Sequence, residues 1–173
     1  MIDTPTPDES PSLWTFTLER YSRPGVQRSA ISLQDNLGAD VNLLFFCLWH
    51  AETGRGRLDA TDFERVEIRI ARWRDEVTLP LRSVRTIIRS DADLAGLRDA
   101  MDVRGKILAA EIESERVAQI VVESFARPPL ISMDGSAWEI ADRNLRSYLA
   151  YIDAELDEDT EQHLESFLNG AFS

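Results

Sequence analysis

Residues 40–50 read DVNLLFFCLWH, and this stretch decides the fold. Asp40 offers a carboxylate where a helix start wants a side-chain acceptor. From Val41 onward the run is apolar nearly all round, with Asn42 its one polar interruption. A surface helix keeps a polar face, whereas a helix apolar on every side must be buried. The stretch therefore predicts a central α-helix over residues 40–49, ending near Gly54. It is far too short to span a bilayer.

The segments on either side also read as helices. Toward the N-terminus, Pro24 opens a helix with Val26, Ala30, Ile31, Leu33 and Leu37 at helical spacing, and Gly38 stands where a left-handed C-cap is wanted. Before it, Ser10-Pro11 reads as a cap and a first-turn proline ahead of Leu13, Trp14, Phe16, Leu18 and Tyr21. Toward the C-terminus, Thr61 and Glu64 suggest a capping box, followed by Phe63, Val66, Ile70, Trp73 and Val77. Pro80 should stop or kink that helix. A short helix with Val84 and Ile88 follows, then a long one from Ser90 to about Phe125. Ser136 and Glu139 form a second capping box, and a last helix should end at Gly170. No stretch alternates as a strand does, and no internal repeat is found. The expectation is an all-α, irregular bundle of six to eight helices. Residues 1–10 read as a flexible tail, 11–127 as the helical core, and 128–173 as an acidic helical extension packed on it.

The chain has 173 residues, 43% of them hydrophobic and 29% charged, which is a globular composition. Its formal charge of -12 is uneven, with ten acidic and two basic residues from Asp134 onward. Such a chain repels nucleic acid and anionic membrane at long range. Arg65, Arg69 and Arg72 form a basic face, but acidic neighbours interleave it. Cys47 is the single cysteine, so a disulfide within the chain is excluded. His50 lies one helical turn from Cys47, yet the apolar flanks argue for burial of both rather than for a reactive thiol. The N-terminal residues lack a basic segment followed by an apolar one, so a cytoplasmic location is expected. No cofactor loop and no zinc-binding pattern is present.

Several polar residues stand in awkward places. At about 100° per residue, Leu94, Leu97, Met101, Leu108 and Ile112 share one stripe of the long helix, and Val103, Ile107, Val117 and Val121 share another. A helix apolar on two sides should be sandwiched, with Glu111 and Glu115 partly enclosed between the stripes. Buried carboxylates need cations or donors. Asp35 and Arg82 each sit at the helix end that the macrodipole makes unfavourable to them, and Arg85 lies one turn beyond Arg82. Asp35, Asp40, Asn42, Arg82, Arg85, Glu111 and Glu115 are therefore candidates for one polar network. Such a cluster commonly fixes how helices cross. It could also clamp a small anion or hold a metal-bound ligand, although no metal-ligand spacing is visible.

The strings LQDNLGADVNLLFFCLW from Leu33, LPLRSVR from Leu79 and AEIESER from Ala110 resemble the domain-of-unknown-function 2390 family of bacterial proteins. The resemblance covers residues from about 13 to 125. It implies a helical, cytoplasmic protein and points at Gln34, Asp35, Asp40, Asn42, Arg82, Arg85, Glu111 and Glu115. It implies no cofactor and supplies no chemistry. The function expected first is a non-enzymatic protein-interaction or regulatory module. A helical receptor or enzyme for a small anionic or metal-bound ligand is the alternative.

Overall fold

A computed structural model describes residues 10–173; the tail expected over residues 1–10 lies outside them except for Ser10. The helices are α1 (Leu13–Tyr21), α2 (Val26–Leu37), α3 (Val41–Glu52), α4 (Ala60–Trp73), α5 (Leu79–Ser90), the single-turn α6 (Ala92–Ala95), α7 (Arg98–Glu123), α8 (Ala137–Tyr151) and α9 (Glu158–Ala171). A π-helical turn, Arg74–Thr78, joins α4 to α5. The described residues contain no strand, and eight of these helices exceed one turn, so the protein is an all-α multi-helix bundle.

α3 is the centre of the bundle. Leu43 through Trp49 are buried, and the helix packs chiefly on α8, with α1, α2 and α7 also against it. Asp40 adopts the extended backbone of a cap, and its Oδ1 accepts the Asn42 amide at 2.8 Å. Gly38 holds the left-handed C-cap of α2, at φ 72°. α2 packs on α9, where Gly170 lies within the helix instead of ending it. A Cβ at Gly170 would stand 2.8 Å from Val26 Cγ2, so close helix approach is what needs the glycine there.

Several expected boundaries shift. Ser12, not Ser10, caps α1, because its Oγ accepts the Thr15 amide at 3.2 Å. Pro24 precedes the α2 start, which Gly25 caps. The α4 capping box is formed by Asp59 and Asp62 rather than Thr61 and Glu64, since Asp59 is already extended and the helix is under way by Thr61. Pro80 does not end the helical path. It lies in the first turn of α5, and the wider π turn just before it absorbs the register change a proline demands.

The long helix starts at Arg98, not Ser90. Asp91 Oδ1 takes the amides of Asp93 and Leu94, both at 3.0 Å, and turns the chain through α6. It ends at Glu123, two residues short of the expected Phe125. Its sandwiching is also only half right. The buried positions of α7 all lie from Glu111 onward, whereas Leu97, Met101 and Val103 are exposed. α5 packs on this helix, so α5 to α7 form a helical hairpin whose far end carries apolar side chains into solvent.

Asp40→Ala is expected to lower stability by about 1–2 kcal/mol, since the cap of the central helix is lost. Urea denaturation reads this directly, and an unchanged midpoint would mean that the cap contributes nothing.

Candidate functional site

One face of α7 and one face of α1 look at each other across an open cleft. Leu108, Glu111, Ile112, Glu115 and Gln119 recur at helical spacing on α7. Trp14, Thr17, Leu18 and Tyr21 do the same on α1. α2 adds Ile31 and Gln34, the π turn adds Arg74 and Thr78, and α5 adds Leu79 and Arg82. The start of α3 and Tyr148 of α8 complete the lining. The cleft has a volume of about 970 Å³, at the upper end of the range for ligand pockets, about 300–1,000 Å³.

A continuous polar network runs through this lining. Arg82 donates from Nε to Glu111 Oε1 at 3.0 Å and from Nη2 to Glu115 Oε1 at 2.9 Å. Arg85 grips both oxygens of Glu111. Glu115 Oε2 accepts Asn42 Nδ2 at 2.7 Å, and Asn42 Oδ1 accepts Gln119 Nε2 at 2.9 Å. Asp40, next to Asn42 in the cap, accepts Arg74 Nη1 at 3.2 Å, and Arg74 also forks onto Glu67. Tyr148 Oη accepts the Asp40 amide at 2.8 Å.

The electrostatics follow the contacts. Burial alone would raise the Glu111 carboxyl, but hydrogen bonds from Arg85 and Arg82 outweigh it and hold the group below the usual carboxylate range. Glu115 goes the other way: burial, with Asp40 and Glu111 nearby, pushes it up despite Asn42 and Arg82. Arg74 is held more firmly protonated by its hydrogen bond to Glu67. Arg82 and Arg85 both face carboxylates they already serve. An anion entering here would compete with Glu111 and Glu115 for the same donors.

Of the residues singled out in the sequence, Asp40, Asn42, Arg82, Arg85, Glu111 and Glu115 come together in this network. Asp35 does not join the contacts above: it is exposed on α2, because the α2 face toward the core is that of Val26, Ala30 and Leu33. Gln34 lines the cleft without joining the hydrogen bonds above. Sequence reasoning missed Glu67, Arg74, Gln119 and Tyr148. Gln119 was within reach, four residues after Glu115 on one helical face. Arg74 was not, because the π turn resets the register at that point.

Two cleft residues are left wanting. Gln119 is 2% exposed and Thr17 7%, and among the described residues neither Gln119 Oε1 nor Thr17 Oγ1 has a hydrogen-bond partner. An unmet buried polar atom costs about 1–3 kcal/mol. Thr17→Val, which keeps the shape and removes the hydroxyl, should therefore raise stability by about 1 kcal/mol. A lower thermal midpoint would show that the hydroxyl is satisfied after all.

Other chemistry has less support. Among the described residues no three His, Cys, Asp or Glu side chains converge as a metal site would require. Cys47 is fully buried, which pushes its thiol up and away from the reactive thiolate. No described helix is long and apolar enough to cross a membrane.

The sequence profile of DUF2390, a protein family of unknown function, matches residues 12–122. The chain belongs to this family. The match spans every network residue from Asp40 to Gln119, whereas Tyr148 lies beyond the part that defines DUF2390. No curated protein and no solved structure matches the chain.

Proposed function

We propose that the protein is a non-enzymatic protein-interaction module whose partner lays an apolar-faced segment into the cleft between α1–α2 and α5–α7. The observation that carries this reading is the state of the cleft walls. Leu18, Ile31, Leu79 and Ile112 belong to four different helices, yet all line one opening and all stay exposed, Ile112 at 46%. Apolar side chains scattered singly need no explanation, whereas several gathered around one concavity mark a surface that binds. An amphipathic helix docking in a groove uses such spaced apolar contacts. The network beneath them sets the crossing of α3, α5 and α7, and so keeps the cleft open and its shape constant.

A photo-crosslinking side chain placed at Ile112 tests the reading in cells. Irradiation should yield a discrete adduct with one partner protein. The same group at Ile68, an exposed position on α4 outside the cleft, should not. Equal adducts from the two positions, or none from Ile112, would sink the assignment.

A further inference from the structure

The α5–α7 layer has a second apolar face, on the side turned away from the cleft. Val103 stands half a turn round α7 from Ile112, at about 100° per residue, and so looks out opposite the cleft. Ile107, one turn further, joins Val77, Pro80, Leu81 and Val84 in lining a groove of about 300 Å³, with Glu76 its one charged residue. Val84, Ile87 and Val103 are all exposed. The layer continues past the groove in both directions. α4, the π turn and α5 follow one another antiparallel to α7, and Trp73 Nε1 donates to the Ser114 carbonyl oxygen at 3.0 Å. The two ends carry opposite charge. Arg65, Arg69 and Arg72 stand exposed on α4 at one end, and Asp99 and Asp102 stand exposed on α7 at the other. Arg69, Asp99 and Asp102 have no ion-pair partner among the described residues. Arg72 meets Glu76 only in an exposed pair one turn away, which contributes little. Lys106 shares the acidic end, whereas Arg98 and Arg104 leave α7 about 140° and 100° round from Val103.

The groove lies midway between these ends, so the face is complementary to itself. A two-fold axis through the groove reverses the layer end for end. Arg69 of one copy then meets Asp99 and Asp102 of the other, twice over, and Val84 of each copy meets the groove of its mate. Every contact of such an isologous interface is made in duplicate. The size is also right. A layer two helices wide and as long as the 26 residues of α7, about 39 Å, has a footprint of about 800 Å². A standard interface buries about that much on each partner. We propose that the protein pairs with a second copy of itself through this face, the two layers antiparallel. Ile68 stands about 140° round α4 from Trp73 and stays outside the contact. Because this face and the cleft lie on opposite sides of α7, the pair presents two clefts outward. A partner with two suitable segments would then be held by both.

Sedimentation velocity on the whole chain tests this at physiological salt, which screens the repulsion between two chains of net charge -12. The native chain should be a dimer at about 50 µM, since interfaces of this size reach micromolar affinity or better. Val84→Asp puts a carboxylate into each groove and should weaken pairing at least about hundredfold. Val84 is exposed in the single chain, so the variant should keep its native circular dichroism. Arg69→Glu and Asp102→Lys should each weaken pairing about tenfold, because each sets like charges against one another at both ends. Mixed in equal amounts, these two variants should form a heterodimer about as tightly as the native pair. Ile112→Asp, in the cleft, should leave pairing unchanged. A native chain that stays monomeric at that concentration, or a dimer that Val84→Asp leaves intact, would overturn the proposal. No recovery on mixing the two charge variants would overturn the antiparallel arrangement that carries it. Pairing lost in Ile112→Asp but kept in Val84→Asp would place the second copy in the cleft, against both this proposal and the reading of a separate partner there.

Discussion

Glu111→Ala is expected to lower the stability of the protein by about 2–3 kcal/mol at neutral pH. Glu111 is 6% exposed and is the shared partner of two arginines, Arg82 and Arg85. Removing it leaves two guanidinium groups side by side with their central anion gone. Breaking one member out of a buried ion cluster costs about 3–5 kcal/mol. Both arginines keep some contact with water, Arg82 the more, and solvent screening lowers the figure. The penalty comes from the cations left behind more than from the pair's own attraction. A combined variant, Arg82→Met, Arg85→Leu, Glu111→Leu and Glu115→Gln, which also removes the charge that Arg82 serves on Glu115, should therefore recover most of the loss. Guanidinium chloride would mask these charges, so urea denaturation is the suitable measurement. A single variant as stable as the native chain would show that the network is no structural element.

The second large effect concerns pH. His50 is fully buried beside Phe46, and its Nδ1 lies 3.0 Å from the Gly56 carbonyl oxygen, to which it donates. Nε2 has no partner. Burial lowers the imidazole to about 4 from an ordinary 6.5; the Gly56 carbonyl pulls it up, Arg127 and Arg55 push it down, and Asp62 pulls it up. The unfolded chain then binds a proton below 6.5 that the folded chain refuses until about 4. Stability should fall as pH drops through that window, by about 3 kcal/mol in all. Glu115, whose carboxyl is raised, acts with the opposite sign near the acid end of the window, while depressed carboxylates such as Glu111 contribute losses below about 4.5. The difference between native protein and His50→Asn isolates the imidazole. Parallel stability curves for the two from pH 7 to pH 4 would refute the assignment.

His50 also shows how structural its neighbourhood is. Gly56 O accepts both the imidazole and Asn144 Nδ2, and Asn144 Oδ1 takes the Leu58 amide at 2.8 Å. A buried asparagine from α8 thus secures the loop after α3. Arg55 stacks 4.6 Å above Trp49 in the same region. These contacts join chain segments far apart in sequence, and nothing in the local pattern around His50 or Asn144 announced them.

The local physics of the chain was legible. An apolar run with a carboxylate at its head made α3 both helical and central, because capping and burial depend on neighbours within a turn. Gly38 and the Ser136–Glu139 box were readable for the same reason. The carboxylates of Glu111 and Glu115 stood out because a helix wheel needs only one helix. Asp35 was misjudged because an unfavourable place in the helix dipole calls for a partner without saying which way its face of α2 points, a matter settled between helices. The π turn, the exposed end of the α5–α7 hairpin and the unmet atoms of Thr17 and Gln119 belong to the same class. Backbone hydrogen bonds and caps act over a few residues and leave their mark in sequence. Clefts arise where distant helices fail to close on one another, and that depends on the packing of all of them at once.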